Sequence, residues 1–202
     1  MPLGPMSEAE IRGVLEDRGA VLKGHFRLSS GRHSEIFVQK FRVFEDPRLT
    51  QRFGEAVAGL WPGEFDAVAS PALGAIVLGF ATALAAERRF VMAERVGEAL
   101  AFRRGFELGP RERVLVVEDV VTTAGSAAEV VELVRAQSAT PVGVGALIDR
   151  KDEARAALGV PLKALAVISA PSWEPADCPL CSTGAPLTDP GSRRCGGERP
   201  LL

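Results

Sequence analysis

The sequence predicts an α/β fold, doubly wound about a mainly parallel sheet, on three observations. From Phe65 onward, short apolar runs ("FDAVAS", "FVMAER", "RVLVVED", "PVGVGALID", "KALAVIS") alternate with stretches of helical periodicity ("LGAIVLGFATALAAER", "SAAEVVELVRAQ"). The short runs are apolar almost throughout, the pattern of strands covered on both faces. Strand, polar turn and helix also follow one another directly at 113–134, the βα unit from which such sheets are built. The α/β core is expected over residues 65–170. Residues 1–64 are expected to form a smaller hood of helices and a hairpin, and residues 171–202 an irregular tail that holds the cysteines.

Each element has a local reason. Ser7 followed by Glu10 has capping-box spacing, and Ile11, Val14 and Leu15 supply one apolar face of a first helix that ends near Gly19. "GHFRLSSGRHSEIFVQKF" has short alternating runs on either side of Ser29, Ser30 and Gly31, which reads as a hairpin. Pro47 opens a second helix through Leu60, with Phe53, Val57 and Leu60 on one side, and "WPG" stops it. A strand through Ser70 turns at Pro71 into an Ala-rich helix, and the later strands and helices follow the alternation above. From Pro171 the periodicity is lost and Pro, Gly and Ser dominate.

With 202 residues, 47% of them hydrophobic, the chain can bury one substantial core, and one main domain is the default. A formal net charge of -2 gives no global electrostatic reason to bind nucleic acid or a membrane, and neither partner is expected. No apolar run reaches the roughly 18–20 residues of a membrane span. The opening "MPLGPMSEAEIRGVLEDRG" is polar and then acidic and amphipathic, unlike a signal peptide. Three cysteines, all after residue 177, form no even disulfide framework. These features together lead to the expectation of a cytoplasmic protein.

The chemistry concentrates in "RVLVVEDVVTTAGSAAEVVELV", residues 113–134. Ligands of open parallel sheets bind beyond the carboxyl ends of the strands, and Glu118 and Asp119 stand near such an end. The turn "TTAGS" leads into a helix from about Ser126. Free backbone N–H groups, the positive end of the helix dipole and the hydroxyls of Thr122, Thr123 and Ser126 therefore converge, as a phosphate cradle requires. A Walker loop is excluded by the missing Lys, and a dinucleotide fingerprint does not carry the two leading acids. Carboxylates beside a phosphate make sense if they face sugar hydroxyls, a Mg2+ ion or a developing positive charge. The competing reading is a pair of solvated turn acids, with Asp119 as a remote helix cap.

Val114 to Val117, Glu118, Asp119, Val120, Val121 and then "TTAGS" resemble the thirteen-residue phosphoribosyl diphosphate (PRPP) motif of type I phosphoribosyltransferases. The resemblance implies that Thr122, Thr123, Ala124, Gly125 and Ser126 bind the 5-phosphate and that Glu118 and Asp119 hold the ribose hydroxyls, with Val120 and Val121 between them. Ala124 stands where many members have Gly. "SPALGAIVLG" resembles the family's pyrophosphate loop, with Ala72, Leu73 and Gly74 at its turn. "HFRLSSGRHSEIF" is similar to a segment of the orotate phosphoribosyltransferases, and "LIDRKDEA" to the strand end that places an Arg, here Arg150, near the base. Orotate is a flat ring with a carboxylate. It calls for a bidentate guanidinium, groups for its imide edge and an apolar wall, roles that Arg150, Thr122 and Phe37 can fill. The bland alternatives are a surface charge for Arg150 and a core residue for Phe37.

The region corresponding to the family's mobile loop has neither Lys nor His but carries Arg95, Arg103 and Arg104, and resembles a shorter-loop bacterial subgroup. Arg95 is the preferred cation for the departing pyrophosphate; Arg103 and Arg104 are alternatively solvated residues of a following strand. Ser29 stands where many members have a Lys that contacts PRPP, and Lys40 is the candidate substitute. The resemblance implies transfer of a phosphoribosyl group from PRPP to orotate for pyrimidine synthesis. It also implies a homodimer and a Mg2+ ion held mainly through PRPP, with no dedicated protein ligand set. The competing readings are a phosphoribosyltransferase for another base and a PRPP-sensing regulator on the same fold, which would add a DNA-binding domain or a basic surface.

The tail holds "CPLC", Cys178 and Cys181, with Cys195 further on. This is half of a zinc-knuckle signature, and Zn2+ competes with a reading as free thiols in a reducing compartment. His25 and His33 both belong to the expected hairpin, so a fourth ligand would have to come from distant chain or from a partner.

Overall fold

The computed structural model describes residues 6–28, 30–150 and 158–190. In chain order the elements are α1 (Glu8–Asp17), β1 (Val21–Arg27), β2 (His33–Val38), α2 (Phe41–Phe44), α3 (Pro47–Gly59), β3 (Ala67–Pro71), α4 (Ile76–Ala85), β4 (Arg89–Val96), β5 (Ala99–Phe102), β6 (Arg113–Val121), α5 (Gly125–Ala136), β7 (Thr140–Asp149), β8 (Leu162–Val167), β9 (Ser172–Trp173), α6 (Pro179–Ser182) and β10 (Leu187–Thr188). They form two compact units, residues 1–18 with 40–169 and residues 19–39 with 170–202, rather than dividing near 64 and 170. The physical reason is that α1 and α3 pack on the strands of the core, whereas the tail pairs with the hairpin.

The first unit is built on a six-stranded sheet in the order β5-β4-β3-β6-β7-β8, parallel except for the β4–β5 pair. The apolar runs explain it. Ala67, Ala69, Val114, Val116, Val144 and Ala146 are buried in one core cluster with Val130, Val131 and Val134 of α5. On the other face Trp61, just past the end of α3, lies so close to β7 that a Cβ on Gly143 would collide with its ring, and a Cβ on Gly145 would meet Val57. The alternating glycines of "PVGVGALID" thus make a flat strip for α3. Asp46 caps α3 by accepting from Arg48 N and Leu49 N at 3.0 and 3.1 Å, with Pro47 at the first helical position.

At the amino end of the chain Ser7 and Glu10 form the expected capping box, and Ile11 and Leu15 are buried. Glu8 of this helix accepts a hydrogen bond from Val167 N of β8 at 3.2 Å, which ties α1 to the last strand of the sheet. Two features of this unit escape periodicity. α2 is a single turn of four residues, and β5 is a short strand that turns back on β4 through Gly97, whose φ is 62°.

The second unit is a four-stranded sheet in the order β10-β1-β2-β9. Its centre is the expected hairpin, with Arg27 opposite His33 and Phe26 opposite Ser34. The tail has little regular structure, as its composition suggests, but it supplies a two-residue strand at each edge of this sheet. Ser34 Oγ donates to Pro171 O at 2.9 Å, and Arg32 bonds Ser172 and Glu174.

Candidate active site

β6 carries Glu118 and Asp119 within its regular pairing to β7, and both are buried, at 8% and 3% exposure. They are not solvated turn acids. By the alternation of the strand, Glu118 shares the face of Val114 and Val116, toward α5, and Asp119 shares the face of Leu115 and Val117. Glu118 accepts from Asp119 N at 3.1 Å and Asp119 from Val120 N at 2.6 Å. Burial first, and the neighbouring Asp119 second, push the Glu118 carboxyl well above the usual carboxylate range.

Asp119 is compensated by Lys40, whose ammonium forms an ion pair with its carboxylate. Lys40 immediately precedes α2, and its carbonyl accepts from Val43 N and Phe44 N, so the single turn fixes the backbone from which the side chain reaches the acids. Gly74 completes the cluster, because a Cβ there would collide with both Asp119 Oδ2 and Lys40 Nζ. The turn after β3 and Asp119 of β6 thus meet at a position where any side chain would displace the ion pair. In this turn the Ala72–Leu73 peptide is cis, and Ala72 N donates to Ala93 O at 2.7 Å.

Beyond Val121 the chain turns through Thr122 and Thr123 into α5, which begins at Gly125. Ala124 takes the left-handed conformation at φ 61° and has no side chain with which to cap the helix. The first-turn N–H groups of a helix have no intrahelical carbonyl, so this amino end presents unspent donors and the positive end of the dipole. Arg150 N donates to Val121 O at 2.9 Å, which brings the start of the residue 150 strand end beside the Thr-rich turn. Arg150 is buried rather than a surface charge.

Not every candidate joins this group. Phe37 belongs to the second unit, half-buried and packed on Phe26 with ring centroids 5.7 Å apart. Arg95, at the end of β4, is held by Glu129 of α5 through two hydrogen bonds of 2.8 and 3.1 Å and by Glu98 O. Arg104 lies past the end of β5 in a left-handed turn, paired with Glu94 at 2.9 Å. Ser29 and Cys195 lie outside the described residues. The other two cysteines, Cys178 and Cys181, lie against His25 and His33 of the hairpin. Two histidines flanking a hairpin turn are the signal from which this could have been inferred.

A concavity of about 270 Å3 bounded by Glu55, Trp61, Phe65 and Arg88 sits at the amino end of the strands, opposite the acids, and holds none of this chemistry. Among the described residues, no helix is long and apolar enough to cross a membrane.

No family model matches the chain. Individual proteins do. An orotate phosphoribosyltransferase of Caldanaerobacter subterraneus subsp. tengcongensis is 40% identical over 190 residues, 94% of this chain and 100% of that protein. The orotate phosphoribosyltransferase of Thermotoga maritima is 43% identical over 184 residues, 91% of this chain and 98% of its own length. The crystal structure of orotate phosphoribosyltransferase from Aeropyrum pernix matches the fold with a TM-score of 0.68 at 29% identity, covering 78% of this chain and 93% of that one. At 40–43% identity over more than nine tenths of its length, the chain belongs to the orotate phosphoribosyltransferase family.

Proposed function

We propose that this protein transfers the phosphoribosyl group of PRPP to orotate, giving orotidine 5'-phosphate and diphosphate, as a step of pyrimidine (UMP) biosynthesis in the cytoplasm. The observation that carries this is the contact of Lys40, Asp119 and Gly74 directly ahead of the uncapped amino end of α5. It joins a cation, two acids, a close-approach turn and an anion seat on one sheet edge, the set that a phosphorylated ribose bearing a diphosphate requires.

The roles follow from chemistry. The amides and hydroxyls of residues 122–126 take the 5-phosphate. Glu118 and Asp119 accept from the ribose hydroxyls and set a negative field where the ribose becomes oxocarbenium-like. The turn of Ala72, Leu73 and Gly74 admits the diphosphate close to the backbone. A ring nitrogen of orotate then bonds to ribose C1 while the C1–O bond to diphosphate breaks, the electron pair leaving on diphosphate and the nitrogen's proton passing to solvent. Lys40 stands where charge compensation is needed. Arg95 acts in this scheme by exchanging Glu129 for the departing diphosphate. Arg150 pairs with the orotate carboxylate and Thr122 with its imide edge.

Mg2+ fits this donor set, because it prefers oxygen ligands and is held in such sites through substrate phosphates and one or two carboxylates, here Glu118 and Asp119. When bound it supplies neutralisation of charge on the diphosphate. The proposed assembly is a homodimer. Val77, Phe80 and Leu84 recur at helical spacing on α4 and are 41%, 57% and 63% exposed, an apolar stripe that needs cover.

The decisive experiment is the loss of orotate absorbance when protein, PRPP, Mg2+ and orotate are mixed. Turnover is expected. Turnover with a purine but not with orotate would refute the substrate, and PRPP binding without turnover of any base would favour a regulator.

A further inference from the structure

We propose that the second unit is a zinc-binding module in which His25, His33, Cys178 and Cys181 are the four ligands of a structural Zn2+. The four ligand atoms lie within 4.8 Å of one another. His25 Nε2 is 3.0 Å from His33 Nδ1, 3.5 Å from Cys178 Sγ and 3.7 Å from Cys181 Sγ, and His33 Nδ1 is 3.3 Å from Cys181 Sγ. A tetrahedral zinc with ordinary Zn–N and Zn–S bonds has ligand edges of about 3.3 Å between nitrogens and about 3.6 Å between nitrogen and sulfur. These four edges are close to those of that tetrahedron.

Hydrogen bonding alone accounts poorly for the arrangement. His25 Nδ1 lies 2.9 Å from Ala185 O and must carry a proton to bond it, which leaves Nε2 with a single lone pair. Three groups, one imidazole and two sulfurs, crowd that one lone pair. A cation at their centre uses all four lone pairs at once. The Ala185 carbonyl then plays the part that outer hydrogen bonds play around ligating histidines, fixing the tautomer and aiming Nε2 inward. Two imidazoles and two thiolates in a tetrahedron select zinc over the oxygen-seeking divalent cations.

The fold delivers the ligands. His33 is opposite Arg27, and His25, two residues before Arg27, shares its face of the sheet. Cys178 and Cys181 come from the turn around α6, where Cys181 N bonds Cys178 O at 3.1 Å. The two cysteines are free of any disulfide. Zinc here ties the hairpin to a tail that otherwise holds it by two-residue strands, and it needs no contribution from Cys195.

The test is metal analysis of the full chain, made without a histidine tag in zinc-supplemented medium, together with Co2+ titration after chelation. The expected results are one zinc per chain, the absorption of a tetrahedral cobalt-thiolate centre, and a higher Tm with zinc than without. Zinc is expected to be lost in Cys178→Ser and in His33→Ala and retained in Cys195→Ser. Cys181→Ser, at an exposed position, provides a variant that keeps its fold while losing the metal. Metal-free protein whose Tm does not respond to zinc, an octahedral cobalt spectrum, zinc retained in the Cys178→Ser/Cys181→Ser double variant, or zinc lost in Cys195→Ser would each overturn the assignment.

Discussion

Gly74→Ala adds one methyl group at the point where the turn after β3 meets Asp119 and Lys40. The new Cβ has no room, since Asp119 Oδ2 and Lys40 Nζ already occupy its position. Asp119 is held by its 2.6 Å bond from Val120 N and its side chain is 4% exposed, so it yields little. Lys40 is the flexible partner, with a side chain 27% exposed, and it is the one expected to swing away. The loss is then a charge-assisted hydrogen bond, about 1.5–3 kcal/mol, taken at the lower end because Lys40 is partly solvated. That corresponds to roughly a tenfold fall in kcat/KM for PRPP. The same loss lowers Tm by about 3–6 °C for a chain of this size. The orotate absorbance assay and a thermal melt measure the two effects. Lys40→Met should reproduce most of the kinetic loss, and combining the two changes should cost less than their sum, because both remove the same ion pair. Wild-type kinetics and Tm in Gly74→Ala, or full additivity in the double variant, would refute this account of the cluster.

Glu118→Gln tests the buried acid through pH. The folded pKa of Glu118 lies above its ordinary 4.5, so its contribution to stability is complete below about that pH and is lost as pH rises through the folded value. The Gln variant should therefore gain Tm relative to wild type toward alkaline pH, with the difference closing near pH 4.5; a deficit that grows with pH would contradict it. Arg150→Lys keeps the charge but not the fork, so the KM for orotate should rise about tenfold or more while that for PRPP stays nearly constant. An equal loss for both substrates would remove Arg150 from the base site. Phe80→Asp places a charge in the exposed stripe of α4 and should convert the proposed dimer to monomer in light scattering; an unchanged mass would move the interface elsewhere.

The parts of this protein that were legible in its sequence are those whose cause is local. The core strands declare themselves by unbroken apolar runs, α1 and α3 by caps and stripes, and the acid pair with its turn by contiguous residues of β6 and α5. Ala124 shows the limit even there. The position is left-handed, where glycine is the easy residue, and alanine takes it at a cost of about 1–2 kcal/mol that no sequence pattern reveals. α2 is too short to show a period, yet without it Lys40 would not be positioned, and β5 is a four-residue hairpin return inside the stretch expected to hold the mobile loop.

What the sequence hides most completely is contact between distant segments. Lys40 and Asp119 are unremarkable apart, and their pairing answers a physical problem that the motif itself poses. A strand that buries two adjacent carboxylates next to the proposed phosphate site repels both itself and that ligand unless a cation is close. Burial and the neighbouring Asp119 raise the carboxyl of Glu118 above the usual range, and Asp119 is compensated by Lys40. The histidines and cysteines repeat the pattern in the second unit, with His25 and Cys178 separated by 153 positions. In both places a polar cluster is stabilised only when partners from distant segments arrive together, so neither half carries a complete signature alone. The acid pair nonetheless remains detectable because its turn and helix are contiguous with it. The metal cluster has no such neighbour, and its half-signature "CPLC" becomes a four-ligand set only when the tail folds back against the hairpin.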